Sequence, residues 1–224
     1  MLAVALQREI EACAGRLHAH PLLLAAQRGE VPPLTVAKYL SSVLHLVRHT
    51  PLHLELARAS AEAQGQSELA LYFGHKAGEE HGHDLWAESD LREMRARFGA
   101  SAGVELEPCR AIAELTAQLS RTIPSAPAAY LAYILFAEYI TVLMGPVWVD
   151  ALQEHCGVPA GALSVVARHA ELDREHVAEC VPVLETLLAA SDASRAFETL
   201  SFAMRHFEDF CDELFALSGA SRAA

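Results

Sequence analysis

AAYLAYILFAEYITVLMGPVWVD, residues 128–150, holds one internal charge, Glu138, among Leu131, Ile134, Leu135, Phe136, Ile140, Val142 and Leu143. The run approaches the roughly 20 apolar residues that span a bilayer. Glu138 and Gly145-Pro146 interrupt it, however, and no basic flank sets an orientation. It therefore reads as the buried core helix of a water-soluble bundle, not as a membrane span. An ionised carboxylate alone in such an interior costs several kcal/mol, so Glu138 requires a partner from elsewhere in the chain.

The rest of the chain also shows helical periodicity, with no convincing alternation of the strand type. Helices are expected over residues 2–17, over HPLLLAAQRGE up to Gly29, and from Pro32-Pro33 to Gly65 with a bend at Pro51. A further long helix runs from Ser67 to Phe98. SAGVELEPC reads as a loop, and Pro108 opens a shorter helix to Arg121. The Glu138 helix follows, bent near Gly145-Pro146, then a helix over 162–190 and a last one from Asp192 to Leu217. No repeat or long linker divides the chain. The expectation is one all-α domain over residues 1–224, a bundle of seven to eight helices.

Composition narrows the function. Seventeen basic against 29 acidic residues give a net charge of −12, without a Lys/Arg cluster, which argues against nucleic acid and anionic membrane surfaces as partners. Cys13, Cys109, Cys156, Cys180 and Cys211 are scattered and odd in number, which fits a reducing cytoplasm. Glu9 and Glu11 come too early for a signal peptide. The 52% hydrophobic content favours a homodimer. Twelve histidines are the first hint of metal chemistry.

Three segments place metal-binding residue types where helix spacing brings them together. In VVARHAELDREHVAECV, His169, Asp173 and His176 stand at i, i+4 and i+7, flanked by Val166, Leu172 and Cys180, so the stripe faces inward. In GEEHGHDLWAESDL, Glu80 and His83 have the Glu-x-x-His spacing that presents a carboxylate and an imidazole to one metal. Glu79 competes for the same face, His81 points to solvent, and Asp84 and Asp90 read as supporting or surface groups. Glu138 supplies a third helix. The oxygen and nitrogen donors suit non-heme iron or manganese better than structural zinc. His45 and His49 share a face of the 34–64 helix as possible further ligands, Pro51 shifting the phase before His53. His20 reads as structural and His18 stays open. Tyr130, Tyr133, Tyr139 and Trp86 are candidates for a pocket wall as well as for core.

These segments resemble the heme-oxygenase-like diiron oxidases and oxygenases, in the superfamily that also holds heme oxygenase, thiaminase II and the pyrroloquinoline quinone synthase. HPLLLAAQRGEVPPLTVAKYL is similar to its early His-Pro passage, and HAELDREH matches its His-x-x-x-Asp-x-x-His pattern. The resemblance implies a heme-oxygenase-like helical bundle and an iron-dependent oxidoreductase using O2 on a small organic molecule. It implies two iron ions on Glu80, His83, Glu138, His169, Asp173 and His176. One departure stands out: where the family offers a carboxylate on the first long core helix, this chain has YLSSVLHLVRHT, with His45 or His49 as stand-ins. The rivals are a heme enzyme using His18, a thiaminase II-like hydrolase with a cysteine nucleophile, and a non-catalytic metal- or ligand-binding protein with a degenerate site.

Overall fold

The computed structural model describes residues 2–103 and 106–220. Val104 and Glu105, in the expected loop SAGVELEPC, lie outside the described residues. The α-helices are α1 (Leu2–His18), α2 (Pro21–Gln27), α3 (Pro33–Ala63), α4 (Ser67–Glu79), α5 (Asp84–Phe98), α6 (Arg110–Thr122), α7 (Tyr130–Cys156), α8 (Ser164–Leu187) and α9 (Ala193–Ser218). No strand occurs among the described residues. Counted with α4 and α5 as one interrupted helix, this is the all-α bundle of the upper expected number.

α7 is the hub. α1, α2, α8 and α9 pack on it, while α4, α5 and α6 pack on α3, and α9 touches both groups. Its burial of Leu131, Leu135, Phe136, Ile140 and Leu152 stabilises the fold by about 1.5–3 kcal/mol for each large side chain. The most apolar stretch of the hub, long enough to cross a membrane, is 72% buried inside the protein. Most of that stretch therefore packs against the rest of the protein.

Local signals explain some helix ends. Pro21 starts α2, and His20 Nδ1 accepts from the Leu22 amide at 3.1 Å, the structural role expected of that histidine. Three ends are instead completed by distant carboxylates, the first at α1, where Glu185 accepts from the Ala3 amide at 2.8 Å. Glu213 accepts from the Arg110 and Ala111 amides at the start of α6, both at 2.9 Å. Asp90 accepts from the Val165 amide at 2.8 Å and from the Ser164 hydroxyl at the start of α8. Helices α3 and α7 both run through an internal proline, Pro51 and Pro146. The His45, His49 and His53 rings form one continuous row, with centroids 4.1 and 5.8 Å apart, so Pro51 does not take His53 off their face. At Gly145 a Cβ would sit 3.1 Å from Ala170 Cβ; its absence lets α7 and α8 approach closely.

Candidate metal centre

The expected single helix over 67–98 is broken at the point where it carries the Glu-x-x-His pair. α4 ends at Glu79, residues 80–83 form a turn, and α5 starts at Asp84. Gly82, at φ +87°, takes a left-handed conformation that residues with a Cβ adopt only at a cost, and this stops the helix. Glu80 caps α4 and His83 precedes α5, and the turn still sets Glu80 Oε2 3.0 Å from His83 Nδ1.

α8 brings its stripe to the same place. His169 Nδ1 donates to the Val165 carbonyl at 2.7 Å, which leaves the Nε2 lone pair free. That Nε2 lies 3.1 Å from His83 Nδ1 and 3.9 Å from Glu80 Oε2. Three donors this close can share one ion at the about 2.1 Å of a metal–nitrogen bond. Trp86 stacks on His83 at 4.2 Å and meets His169 edge-on at 5.6 Å, and the Arg168 guanidinium lies 4.9 Å from the Trp86 ring centroid. A second donor group shares Glu80 and adds Glu138 and His176. His176 Nδ1 is 3.8 Å from Glu138 Oε1 and 3.3 Å from Asp173 Oδ1, and His176 Nε2 is 3.9 Å from Glu79 Oε2. The structure thus gathers Glu80, His83, Glu138, His169, Asp173 and His176 in one cluster, with Glu79 at its edge.

The carboxylates and imidazoles of the cluster perturb one another. Against burial, the nearby imidazoles of His169 and His83 hold Glu80 well below the usual carboxylate range. Against burial, Glu80 and Asp173 hold His169 above its ordinary value. Burial pushes Glu138 up to about 7, with Asp173 adding to the rise and Lys76 opposing it. Burial likewise raises Asp173. Glu138 Oε2 is buried without a hydrogen-bond partner among the described residues, and Asp173 Oδ1 and His176 Nδ1 form no hydrogen bond despite their proximity. Unpaired buried donors of carboxylate and imidazole type fit a metal ion.

Lys76 is the residue that sequence reasoning missed. Its Nζ lies 2.9 Å from Glu138 Oε1 and 3.2 Å from Glu79 Oε2, and the side chain is 3% exposed. Burial works against the ammonium, yet Glu138 and Glu79 hold it above the ordinary lysine value. The signal was present: Leu69, Phe73, Lys76 and Glu80 follow helical spacing, which puts one lysine on an apolar stripe.

Several expectations need correction. His45 and His49 do not reach the cluster, because α3 turns Val43, Leu46, Val47 and Thr50 toward it and the histidine row toward α6. His45 Nε2 pairs with Thr116 Oγ1 at 2.9 Å, and His49 Nδ1 with the His45 carbonyl at 2.7 Å. Leu172 is exposed, so the α8 stripe is narrower than its flanks implied. Tyr139 points to Glu11, 2.8 Å away, not into a pocket. His18 is exposed at the end of α1.

Lys76, Glu80, Glu138, His169 and Asp173 all lie on the wall of a cavity of about 210 Å³. Most of the remaining wall is apolar: Val43, Val47 and Leu54 from α3, Ile134 and Ile140 from α7, Phe207 and Leu214 from α9. Tyr130 and Tyr133 also line it.

Comparison with known proteins places this architecture. No protein-family model matches the chain, and no curated protein matches it by sequence. Among solved structures it is similar to a domain of unknown function with a heme oxygenase-like fold from Shewanella denitrificans OS217. That match has a TM-score of 0.79 at 20% identity and covers 99% of this chain and 97% of the other. It is also similar to a CADD-like protein of unknown function from Nostoc punctiforme PCC 73102, with a TM-score of 0.71 at 13% identity over 97% and 99% of the two chains. The chain has the heme-oxygenase-like fold.

Proposed function

We propose that the chain is a non-heme, metal-dependent oxidase or oxygenase that uses O2 to oxidise a small, largely apolar organic molecule. The observation that carries this reading is the carboxylate–imidazole cluster set into the wall of an apolar cavity. Iron is the metal that such donors and O2 chemistry favour, with manganese as the alternative. The chemistry such an ion supplies when bound is one-electron exchange with O2. Glu80, His83 and His169 would hold it, and the Val165 carbonyl fixes His169 in the ligating tautomer. Trp86 stacks on the His83 ring and abuts His169 edge-on, which restricts the orientation of both imidazoles. The apolar wall binds the substrate and keeps water from reactive species. Lys76 Nζ sets a fixed positive charge on that wall.

Two rivals lose support. A heme enzyme relying on His18 does not fit an exposed side chain at a helix end. A thiol hydrolase fits poorly as well: burial pushes the Cys180 thiol up to about 12, and it is not on the cavity wall. Cys211, which is on the wall, is held by burial well above its ordinary value. A non-catalytic ligand-binding protein is the second reading, favoured by Lys76 already neutralising Glu138. Five free cysteines support a reducing cytoplasm as the setting, and the exposed Leu52, Leu71 and Leu85 support a homodimer.

The test is metal content after expression with iron, for the wild type and His169→Ala, followed by O2 uptake of the ferrous protein. The wild type is expected to retain iron and consume O2, and the variant to lose most of both. A wild type that binds neither iron nor manganese would falsify the metal reading. Bound metal without O2 uptake favours the binding protein.

A further inference from the structure

The two overlapping donor groups differ in one respect. Among the described residues, no lysine or arginine is ion-paired with Glu80. In the group of Glu80, Glu138 and His176, the Lys76 ammonium is already paired with a donor, 2.9 Å from Glu138 Oε1, and reaches Glu79 Oε2 at 3.2 Å. An ammonium has three N–H donors and no lone pair. It can neutralise carboxylates but cannot ligate a metal, and it repels a divalent ion placed beside it. Lys76 is also buried on the α4 face that carries Leu69 and Phe73, which holds its charge at the cluster.

We propose that Lys76 takes the place of a second metal ion, so that the chain holds one ion, at Glu80, His83 and His169, beside a fixed protein cation. The proposal rests on the metal-dependent reading above and narrows it to a single-ion centre. It also accounts for α3, which turns Val43, Leu46, Val47 and Thr50 toward the cavity and no carboxylate. A centre with one ion and one ammonium has no second metal for a companion carboxylate to bind.

Anaerobic loading with excess ferrous iron, gel filtration and elemental analysis give the number of ions per chain. One ion is expected for the wild type and two for Lys76→Glu, which exchanges the cation for a further carboxylate donor. Two ions in the wild type, or still one in a Lys76→Glu protein of native helical content, overturns the proposal and leaves the metal reading standing. No iron in either protein overturns both. A second measurement needs no variant: electron paramagnetic resonance of the wild type loaded with manganese(II). The spectrum of an isolated ion is expected, and that of an exchange-coupled pair overturns the proposal.

Discussion

His53 and Glu138 are both buried, and burial moves them in opposite directions because it disfavours whichever form is charged. Burial, with His49 beside it, lowers His53 from 6.5 to about 4. Its folded value is depressed, so the stability it contributes is full above 6.5 and is lost as pH falls through about 4. A shift of this size corresponds to on the order of 3 kcal/mol. The fall in melting temperature from neutral pH to about pH 4 is expected to be smaller in His53→Gln than in the wild type, followed by circular dichroism. An equal fall in both would assign the acid sensitivity to other groups. Glu138, raised to about 7, has the opposite sign in metal-free protein: its contribution is present at low pH and fades as pH rises through that value. Lys76 makes a related point about single residues. A lysine on an apolar stripe is visible in sequence, but its partner Glu138, 62 positions away, is not.

The break between α4 and α5 shows what a single element contributes. Had the helix continued through 80–83, Glu80 and His83 would have shared a face as i, i+3 neighbours. The turn keeps them adjacent by another route, with Gly82 in the left-handed region. Gly82→Ala should therefore lower stability by about 1–2 kcal/mol, a fall of roughly 2–8 °C in melting temperature for a chain of this size. It should also weaken metal binding, since the same turn positions His83. Gly82→Asn should lose less of both, because asparagine enters that region more readily. If alanine left stability and metal content untouched, the turn would not be what sets His83. α8 depends on a distant group in a similar way: Asp90 holds its first turn, and three cluster residues lie within the next three turns.

At the scale of the whole molecule, α3 decides the character of the cavity. Its inward face is apolar, and its histidines spend their hydrogen bonds on Thr116, Ser120 and backbone. The carboxylates and imidazoles therefore come from α4, the turn after it, α7 and α8, and face an apolar wall. An uncharged aromatic dye such as N-phenylnaphthylamine should bind in this cavity. Ala137→Phe, which fills space on the α7 wall, should weaken that binding about tenfold or more, with metal content unchanged. Fluorescence titration measures it; equal affinity in both proteins would place the dye elsewhere.

The local pattern was enough to establish that the chain is predominantly helical, that 128–150 is a core helix, and that Glu138 and the α8 stripe belong on inward faces; the block around Glu80–His83 is polar all round and gave no face by itself. Helical periodicity depends on neighbours three and four positions apart, and these are written in the chain. Other features depended on contacts between segments far apart in sequence. They include the face of α3 turned to the cavity, the distant carboxylates that cap α6 and α8, and the cation that meets Glu138. Packing of one helix on another settles those, and the buried charge in residues 128–150 found its lysine only when α4, packed on α3, carried Lys76 to α7.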